Sequence, residues 1–158
     1  MEELIALAGQ VVAVQAQARR RIVTAESCTG GLVAACLTAV AGSSAVVERG
    51  YVTYSNQAKE QDLGVAAEIL TVHGAVSAET AAAMARGALC RSPAELALAI
   101  TGIAGPGGGS PEKPVGLVYL ALAGRGVGAP RVECHHFPGD RAAVRYATVR
   151  RGLELLLG

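Results

Sequence analysis

The sequence contains few aromatic residues, with no Trp, one Phe and four Tyr among its 158 positions. A core made mainly of Ala, Leu and Val buries less apolar area per residue than an aromatic core does. An interface between copies of the chain would add buried area, and we therefore expect a homo-oligomer.

Long apolar runs and a basic start are also missing. No run reaches the ~20 residues of a membrane span, and the first residues, MEELIALAGQ, are acidic where a secretory signal needs a basic segment. The net charge of +1 argues against a broad surface for nucleic acid. The four cysteines form no CxxC pair, which is typical of reduced thiols. We expect a soluble, cytoplasmic protein that binds neither membrane nor nucleic acid.

Lysine is scarce as well. Of the 14 basic residues, only Lys59 and Lys113 are lysines, and the other 12 are arginines. Lysine can lose its proton in a tuned environment, whereas arginine stays charged. Two residues can fall anywhere by chance, but both lie in unusual local sequence. Each is therefore a candidate for a role that arginine cannot fill.

Apolar periodicity and turn residues predict strands that alternate with helices. The turn at 124–130 is short, which predicts that the last two strands pair as an antiparallel hairpin. We expect one domain over residues 1–158, an α/β fold of three layers (α/β/α) with a mostly parallel, five-stranded mixed sheet whose last strand is antiparallel. The predicted strands are 21–25, 50–54, 95–101, 115–123 and 131–137, and the predicted helices are 2–18, 30–40, 57–63, 66–72, 77–90 and 141–157.

Three polar segments follow predicted strands: TAESCTGG at 24–31, YSNQAK at 54–59 and TGIAGPGGGSPEKP at 101–114. In open α/β sheets, sites lie beyond the carboxyl ends of the strands. The three segments are therefore expected to meet at one shared site.

Ser27 is the candidate nucleophile, at a turn from strand to helix. The backbone N–H groups of Thr29, Gly30 and Gly31 are the candidate donors to substrate and oxyanion, since glycines allow close approach. For this segment alone, an ordinary polar helix cap is the simpler interpretation. Cys28 competes for the nucleophile's role because helix N-termini lower thiol pKa values.

Lys59 is the candidate general base. Asn56 is the expected N-cap, which places Lys59 at the third helical position, where the helix dipole favours a neutral amine. The alternative is a solvated surface lysine. Tyr54 is expected near the sheet end, where it relays or orients a proton, or simply packs.

The remaining candidates concern substrate binding. The loop from 102 to 114 follows a strand and is rich in glycine, which suits either a phosphate cradle or a mobile surface lid. Arginines one helical turn apart suit a phosphate or carboxylate, although a solvated basic face is more common. Cys134-His135-His136 alternates across a strand, so these side chains cannot converge on a metal ion. The substrate-binding candidates are Glu26 for a ribose hydroxyl or an arginine, and Asn56, Thr101, Gly102, Arg141 and Arg145.

Five segments, AESCTGG, AGSSAVVERGYVTYSNQAK, HGAVS, TGIAGPGGGSPEKPVG and PGDR, occur in this order. Together they resemble the carboxy-terminal domain family of the competence-damage-inducible protein CinA, above all its stand-alone members, the nicotinamide-nucleotide amidases. The resemblance covers nearly the whole chain. Several long motifs in order are far more specific than any one of them.

The resemblance implies a serine amidohydrolase that converts nicotinamide mononucleotide to nicotinic acid mononucleotide and ammonia, within pyridine-nucleotide salvage. By motif match, Ser27 is the nucleophile and Lys59 the lysine, with Tyr54 nearby. The resemblance further implies a three-layer fold, homo-oligomers, and neither metal nor cofactor. The alternative is a non-catalytic nucleotide-binding module, which would keep the glycine-rich loop and the arginines without needing a tuned lysine.

Overall fold

The computed structural model describes residues 1–158. Helices and strands alternate along most of the chain, as the apolar pattern predicts. In chain order, the strands are β1 (Ile22–Glu26), β2 (Val47–Val52), β3 (Leu96–Gly102), β4 (Leu117–Gly124) and β5 (Arg131–His136). The helices are α1 (Glu2–Gln17), α2 (Leu32–Thr38), α3 (Asn56–Leu63), α4 (Ala67–His73), α5 (Ala78–Cys90) and α6 (Arg141–Leu157).

The five strands form one mixed sheet in the order β2-β1-β3-β4-β5. β1 is parallel to both β2 and β3, whereas β4 is antiparallel to β3 and β5. The predicted mixed sheet is confirmed, and the last strand is antiparallel to its neighbour β4. Because β4 is reversed relative to both of its neighbours, it is the strand that runs against the other four.

Helices cover both faces of the sheet and make the predicted three layers. Ile22 on β1 faces the layer of α1, α2 and α6, whereas the next residue, Val23, faces the opposite layer around α5. This alternation is the two-residue period of a strand. The five residues of β1 are all buried, as expected for a central strand covered on both faces.

Most predicted element boundaries shift by one to three residues, and two of these shifts affect the candidate site. α2 begins at Leu32 rather than at residue 30, because Gly30 and Gly31 adopt left-handed φ angles of 61° and 93°. β2 covers 47–52 rather than 50–54, so residues 53–55 form the loop before α3. The candidate residues therefore lie in and after the two turns that follow β1 and β2.

None of the helices combines the length and the apolar character required to cross a lipid bilayer.

Candidate active site

Ser27 directly follows the carboxyl end of β1. Its N–H donates to the Ile100 carbonyl of the neighbouring strand at 3.0 Å, which ties the turn to the sheet. The side chain is 8% exposed and lines a cavity of about 260 Å³. Ser27 therefore stands at the carboxyl edge of the sheet, where its position in the sequence predicts it.

Glu26 is fully buried, and its carboxylate accepts hydrogen bonds from the start of α2. Its Oε2 lies 3.1 Å from the Gly31 nitrogen and 3.0 Å from the Val33 nitrogen, and its Oε1 lies 2.9 Å from the Ala34 nitrogen. These contacts satisfy N–H groups that have no partner within the helix. Glu26 thus caps α2, and it does not line the cavity where a ribose hydroxyl was expected to meet it.

The expected oxyanion donors are corrected by the same contacts. Gly30 donates its N–H to the Ser27 carbonyl at 3.0 Å, and the Gly31 N–H is held by Glu26, so neither is free. The N–H groups of Cys28 and Thr29 donate to no other residue. Of these two residues only Cys28 lines the cavity beside Ser27, so its N–H is the donor available there.

Lys59 extends from α3 into the core and is only 1% exposed. α3 begins at Asn56, and its N-cap is Ser55, whose Oγ accepts from the Ala58 nitrogen. The structure thus corrects the predicted cap by one residue and places Lys59 at the fourth helical position. Asn56 is exposed at the start of the helix, and its side chain does not line the cavity.

The Lys59 amine makes three polar contacts. Its Nζ lies 3.0 Å from Ser27 Oγ, 2.8 Å from the Thr53 carbonyl oxygen and 3.3 Å from the Tyr54 carbonyl oxygen. Carbonyl oxygens only accept, so a neutral amine would donate its two hydrogens to them. Its lone pair would then be left for the Ser27 hydroxyl.

Burial lowers the pKa of Lys59 below its ordinary value of 10.5, because desolvation disfavours the ammonium form. The neighbouring Cys28 thiol has a smaller, opposite effect on that pKa. Lys59 forms no salt bridge, so no carboxylate holds its positive charge in place. The surroundings therefore favour a neutral amine that is able to take a proton.

Cys28 is buried beside Ser27 and lines the same cavity. Burial raises the pKa of its thiol to about 11, against the smaller lowering effect of its own backbone N–H. A protonated thiol is a weak nucleophile. The surroundings therefore favour Ser27 over Cys28.

The glycine-rich loop and the end of β3 form one wall of the cavity. Gly102 lines the wall, and a Cβ at this position would lie 2.7 Å from a Val118 methyl group, so the approach of β4 requires glycine here. Thr101 also lines the cavity, but its hydroxyl donates to the Ala75 carbonyl at 2.6 Å. Thr101 therefore fixes the segment at Ala75, which also lines the cavity, a role that the sequence did not indicate.

Tyr54 and Arg141 meet above the cavity. Tyr54 is 58% exposed, and its hydroxyl accepts from Arg141 Nη2 at 3.0 Å, while Arg141 Nη1 donates to the Gly105 carbonyl at 2.9 Å. The Tyr54 side chain is thus linked to Arg141 rather than to Lys59. Arg141 joins the glycine-rich loop to the loop that precedes α3.

Arg145 lies one helical turn beyond Arg141 on α6. Its Nη2 donates to the Thr29 carbonyl at 2.9 Å, and its Nε is buried without any acceptor. Both arginines line a second cavity of about 610 Å³, which adjoins the first at Ala104 and Arg141. Thr29 itself is fully buried and lines neither cavity.

Three contributors to the site were not singled out from the sequence. Ala75 and Val76 line the cavity, and the Thr53 carbonyl accepts a hydrogen bond from Lys59 Nζ. The first two lie in the segment HGAVS, which the family resemblance includes. A backbone carbonyl carries no residue-specific signal, so Thr53 had none. No group of three or more His, Cys, Asp or Glu side chains is arranged to hold a metal ion.

Comparison with known proteins agrees with this architecture. The CinA C-terminal domain family matches residues 4–158. The nicotinamide-nucleotide amidohydrolase PncC of Escherichia coli (strain K12) is 52% identical over 98% of this chain and 93% of its own length. A CinA-like protein of Citrifermentans bemidjiense is 58% identical over 132 residues, and the chain spans only 31% of that longer protein.

A crystal structure of the competence/damage inducible protein CihA from Agrobacterium tumefaciens superposes with a TM-score of 0.94. It is 52% identical, with 98% of this chain and 93% of that chain covered. Sequence identity and fold therefore agree over nearly the whole length. The chain belongs to the CinA C-terminal domain family.

Proposed function

We propose that this protein is a nicotinamide-nucleotide amidohydrolase that converts nicotinamide mononucleotide to nicotinic acid mononucleotide and ammonia. The observation that carries the proposal is the contact of 3.0 Å between Ser27 Oγ and the buried Lys59 amine, which has no carboxylate partner. The name of the 52% identical PncC supplies the substrate class. We further propose that residues 1–158 act as one amidohydrolase domain.

In the first step, neutral Lys59 takes the hydroxyl proton of Ser27 while Ser27 Oγ attacks the carboxamide carbon of the substrate. The carbonyl oxygen becomes an oxyanion as the C–O bond forms. The free N–H group of Cys28, which lines the cavity beside Ser27, is the proposed donor to it. Removing one such donor typically costs ~10²–10³ in turnover, so this group is an important part of the mechanism.

In the second step, the C–N bond breaks and Lys59 returns the proton to the leaving nitrogen, which departs as ammonia. Water then attacks the acyl group on Ser27, and Lys59 takes one of its protons. The proton passes back to Ser27 Oγ as the acid product leaves. One amine therefore serves as base and acid in turn, which requires a pKa below that of an exposed lysine.

The second cavity is the proposed site of the ribose 5′-phosphate. Arg141 and Arg145 line it, and Arg145 has a buried Nε with no acceptor. Guanidinium groups form strong charged hydrogen bonds with phosphate. The carboxamide and the phosphate of one substrate would thus occupy the two adjoining cavities, with Tyr54 beside the passage between them.

We place this activity in cytoplasmic pyridine-nucleotide salvage, which accords with free thiols at all four cysteines. A homo-oligomer stays a prediction, for which light scattering of the purified chain is the test. A small-molecule nucleotide is the proposed partner, without a metal or another cofactor.

The deciding experiment is an ammonia-release assay with nicotinamide mononucleotide, nicotinamide riboside and nicotinamide. Release from the mononucleotide, at higher kcat/KM than from the riboside, is the expected result. Tight binding of the mononucleotide without any release would instead establish the alternative, a non-catalytic nucleotide-binding module.

A further inference from the structure

In the segment between α4 and α5, consecutive backbone carbonyls accept hydrogen bonds from side chains. The Gly74 carbonyl accepts from Ser77 Oγ at 3.2 Å and from Thr80 Oγ1 at 2.7 Å. The next carbonyl, that of Ala75, accepts from Thr101 Oγ1 at 2.6 Å. Ala75 and the following residue line the cavity that contains Ser27, so this segment is a fixed wall of the site.

Lys113 holds the preceding carbonyl of the same segment. Its Nζ donates to the His73 carbonyl at 2.6 Å, at the carboxyl end of α4. A Cβ at Gly74 would lie 3.0 Å from this Nζ, so glycine leaves room for the ammonium group. A positive charge is favourable at a helix C-terminus, where carbonyls lack partners.

The opposite end of Lys113 is anchored in the glycine-rich loop. Its N–H donates to Ser110 Oγ at 3.0 Å, and its carbonyl accepts from the Ser110 N–H at 2.8 Å. Residues 105, 107 and 108 of this loop line the cavity on the side of Arg141. Lys113 therefore connects two cavity walls that are far apart in the sequence.

We propose that Lys113 is a positioning residue that fixes the spacing between the glycine-rich loop and the wall formed by Ala75 and Val76, and that this spacing sets the fit of the planar, carboxamide-bearing ring of the substrate. The inference rests on the proposed function. Lys113 does not line the cavity, so it acts through the loop rather than on the substrate. Ser27 and Lys59 stand on β1 and α3 and are held by other contacts, so their reactivity does not depend on Lys113.

The test compares Lys113→Met with Lys113→Arg and with Glu112→Gln, which removes an exposed charge from the same turn. For Lys113→Met, KM for nicotinamide mononucleotide should rise about tenfold, as expected for the loss of one charged hydrogen bond. Its kcat should stay within about threefold, because the walls contact bound substrate and transition state alike. Lys113→Arg keeps a charged donor and should recover most of the loss, so the proposed role of Lys113, unlike that of Lys59, is one that arginine can fill. Glu112→Gln should match the unmodified chain.

Two further measurements separate this proposal from the proposed function. Labelling of Ser27 by phenylmethylsulfonyl fluoride needs only the serine and its base, so its rate should be unchanged in Lys113→Met. Hydrogen exchange of the amides at 74–76 and 103–116 should increase in both segments of that variant. This measurement tests the connection even if the unmodified chain releases no ammonia.

An unchanged KM, or a rise in exchange in only one of the two segments, would overturn the proposal. So would equal losses in kcat and in the labelling rate, because Lys113 would then act on the catalytic pair itself. Failure of the Arg variant to recover KM would also overturn it, since a charged donor to the His73 carbonyl is the proposed cause.

Discussion

Lys59 Nζ and Ser27 Oγ lie 3.0 Å apart although 32 positions separate the two residues in the sequence. The parallel pairing of β1 and β2 brings them together, because both strands end at the same edge of the sheet. Each residue follows one of those strands, Ser27 in the turn after β1 and Lys59 in the first helix after β2. The catalytic proposal is therefore a direct consequence of the sheet topology.

Replacing the base without removing its charge tests the role of Lys59. Lys59→Arg keeps a cation but cannot accept a proton, so kcat should fall by ~10²–10⁴, the usual contribution of a positioned base. In the unmodified chain, kcat/KM should rise with pH through an apparent pKa below 10.5, because the neutral amine is the active form. Ammonia release by the variant and by the unmodified chain across a pH series measures the fall in kcat and the apparent pKa.

The neighbouring variant Glu60→Gln is the control for Lys59→Arg, because Glu60 is exposed on the same helix and should tolerate the change. Full turnover by Lys59→Arg would show that Lys59 is not the base.

The lowered pKa of Lys59 also makes a prediction about stability. The unfolded chain holds the proton up to about pH 10.5, whereas the folded chain releases it at lower pH. Between these two pKa values, folding releases a proton, so the free energy of unfolding should fall as the pH falls, by up to about 1.4 kcal/mol per pH unit. Lys59→Met should lack this dependence, and urea unfolding at several pH values measures it.

A parallel pH dependence in Lys59→Met and in the unmodified chain would show that other groups cause it.

Apolar periodicity was sufficient to predict the layers and the mixed sheet. The position of the polar segments after predicted strands was sufficient to predict that Ser27 and Lys59 meet at one edge of the sheet. The sequence did not indicate the contact that Glu26 makes, in which the carboxylate accepts a hydrogen bond from the start of α2. This contact depends on the left-handed turn at Gly30 and Gly31, which adjoining glycines permit but do not dictate. The Thr53 carbonyl has no sequence signal, since every residue has a carbonyl.

Serine and cysteine stand side by side in this turn, and substitution separates their roles. Ser27→Ala should abolish ammonia release, whereas Cys28→Ala should retain most of it, because burial keeps the thiol protonated with a pKa of about 11. Mass spectrometry after phenylmethylsulfonyl fluoride treatment should show one adduct, on Ser27. An inactive Cys28→Ala variant together with an active Ser27→Ala variant would reverse the assignment.

The buried carboxylate of Glu26 should contribute to stability rather than to substrate affinity. Glu26→Gln replaces one acceptor oxygen by an NH₂ group that faces the N–H donors of α2, which should reduce the free energy of unfolding by about 1–3 kcal/mol. Urea unfolding followed by circular dichroism measures the loss, with the exposed Glu60→Gln as the control. An increase in KM without a loss of stability would restore the expected ribose contact.

The two arginines of α6 should differ in what they contribute. Arg145 has a buried Nε with no acceptor, whereas Arg141 already donates to Gly105 and Tyr54. Arg145→Gln should therefore reduce the preference for nicotinamide mononucleotide over the riboside by about tenfold or more, the effect of losing a charged hydrogen bond to phosphate. Arg141→Gln should lower kcat/KM for both substrates, because the loop and Tyr54 lose their connection. The ratio of the two kcat/KM values for each variant is the measurement, and an unchanged ratio in Arg145→Gln would place the phosphate elsewhere.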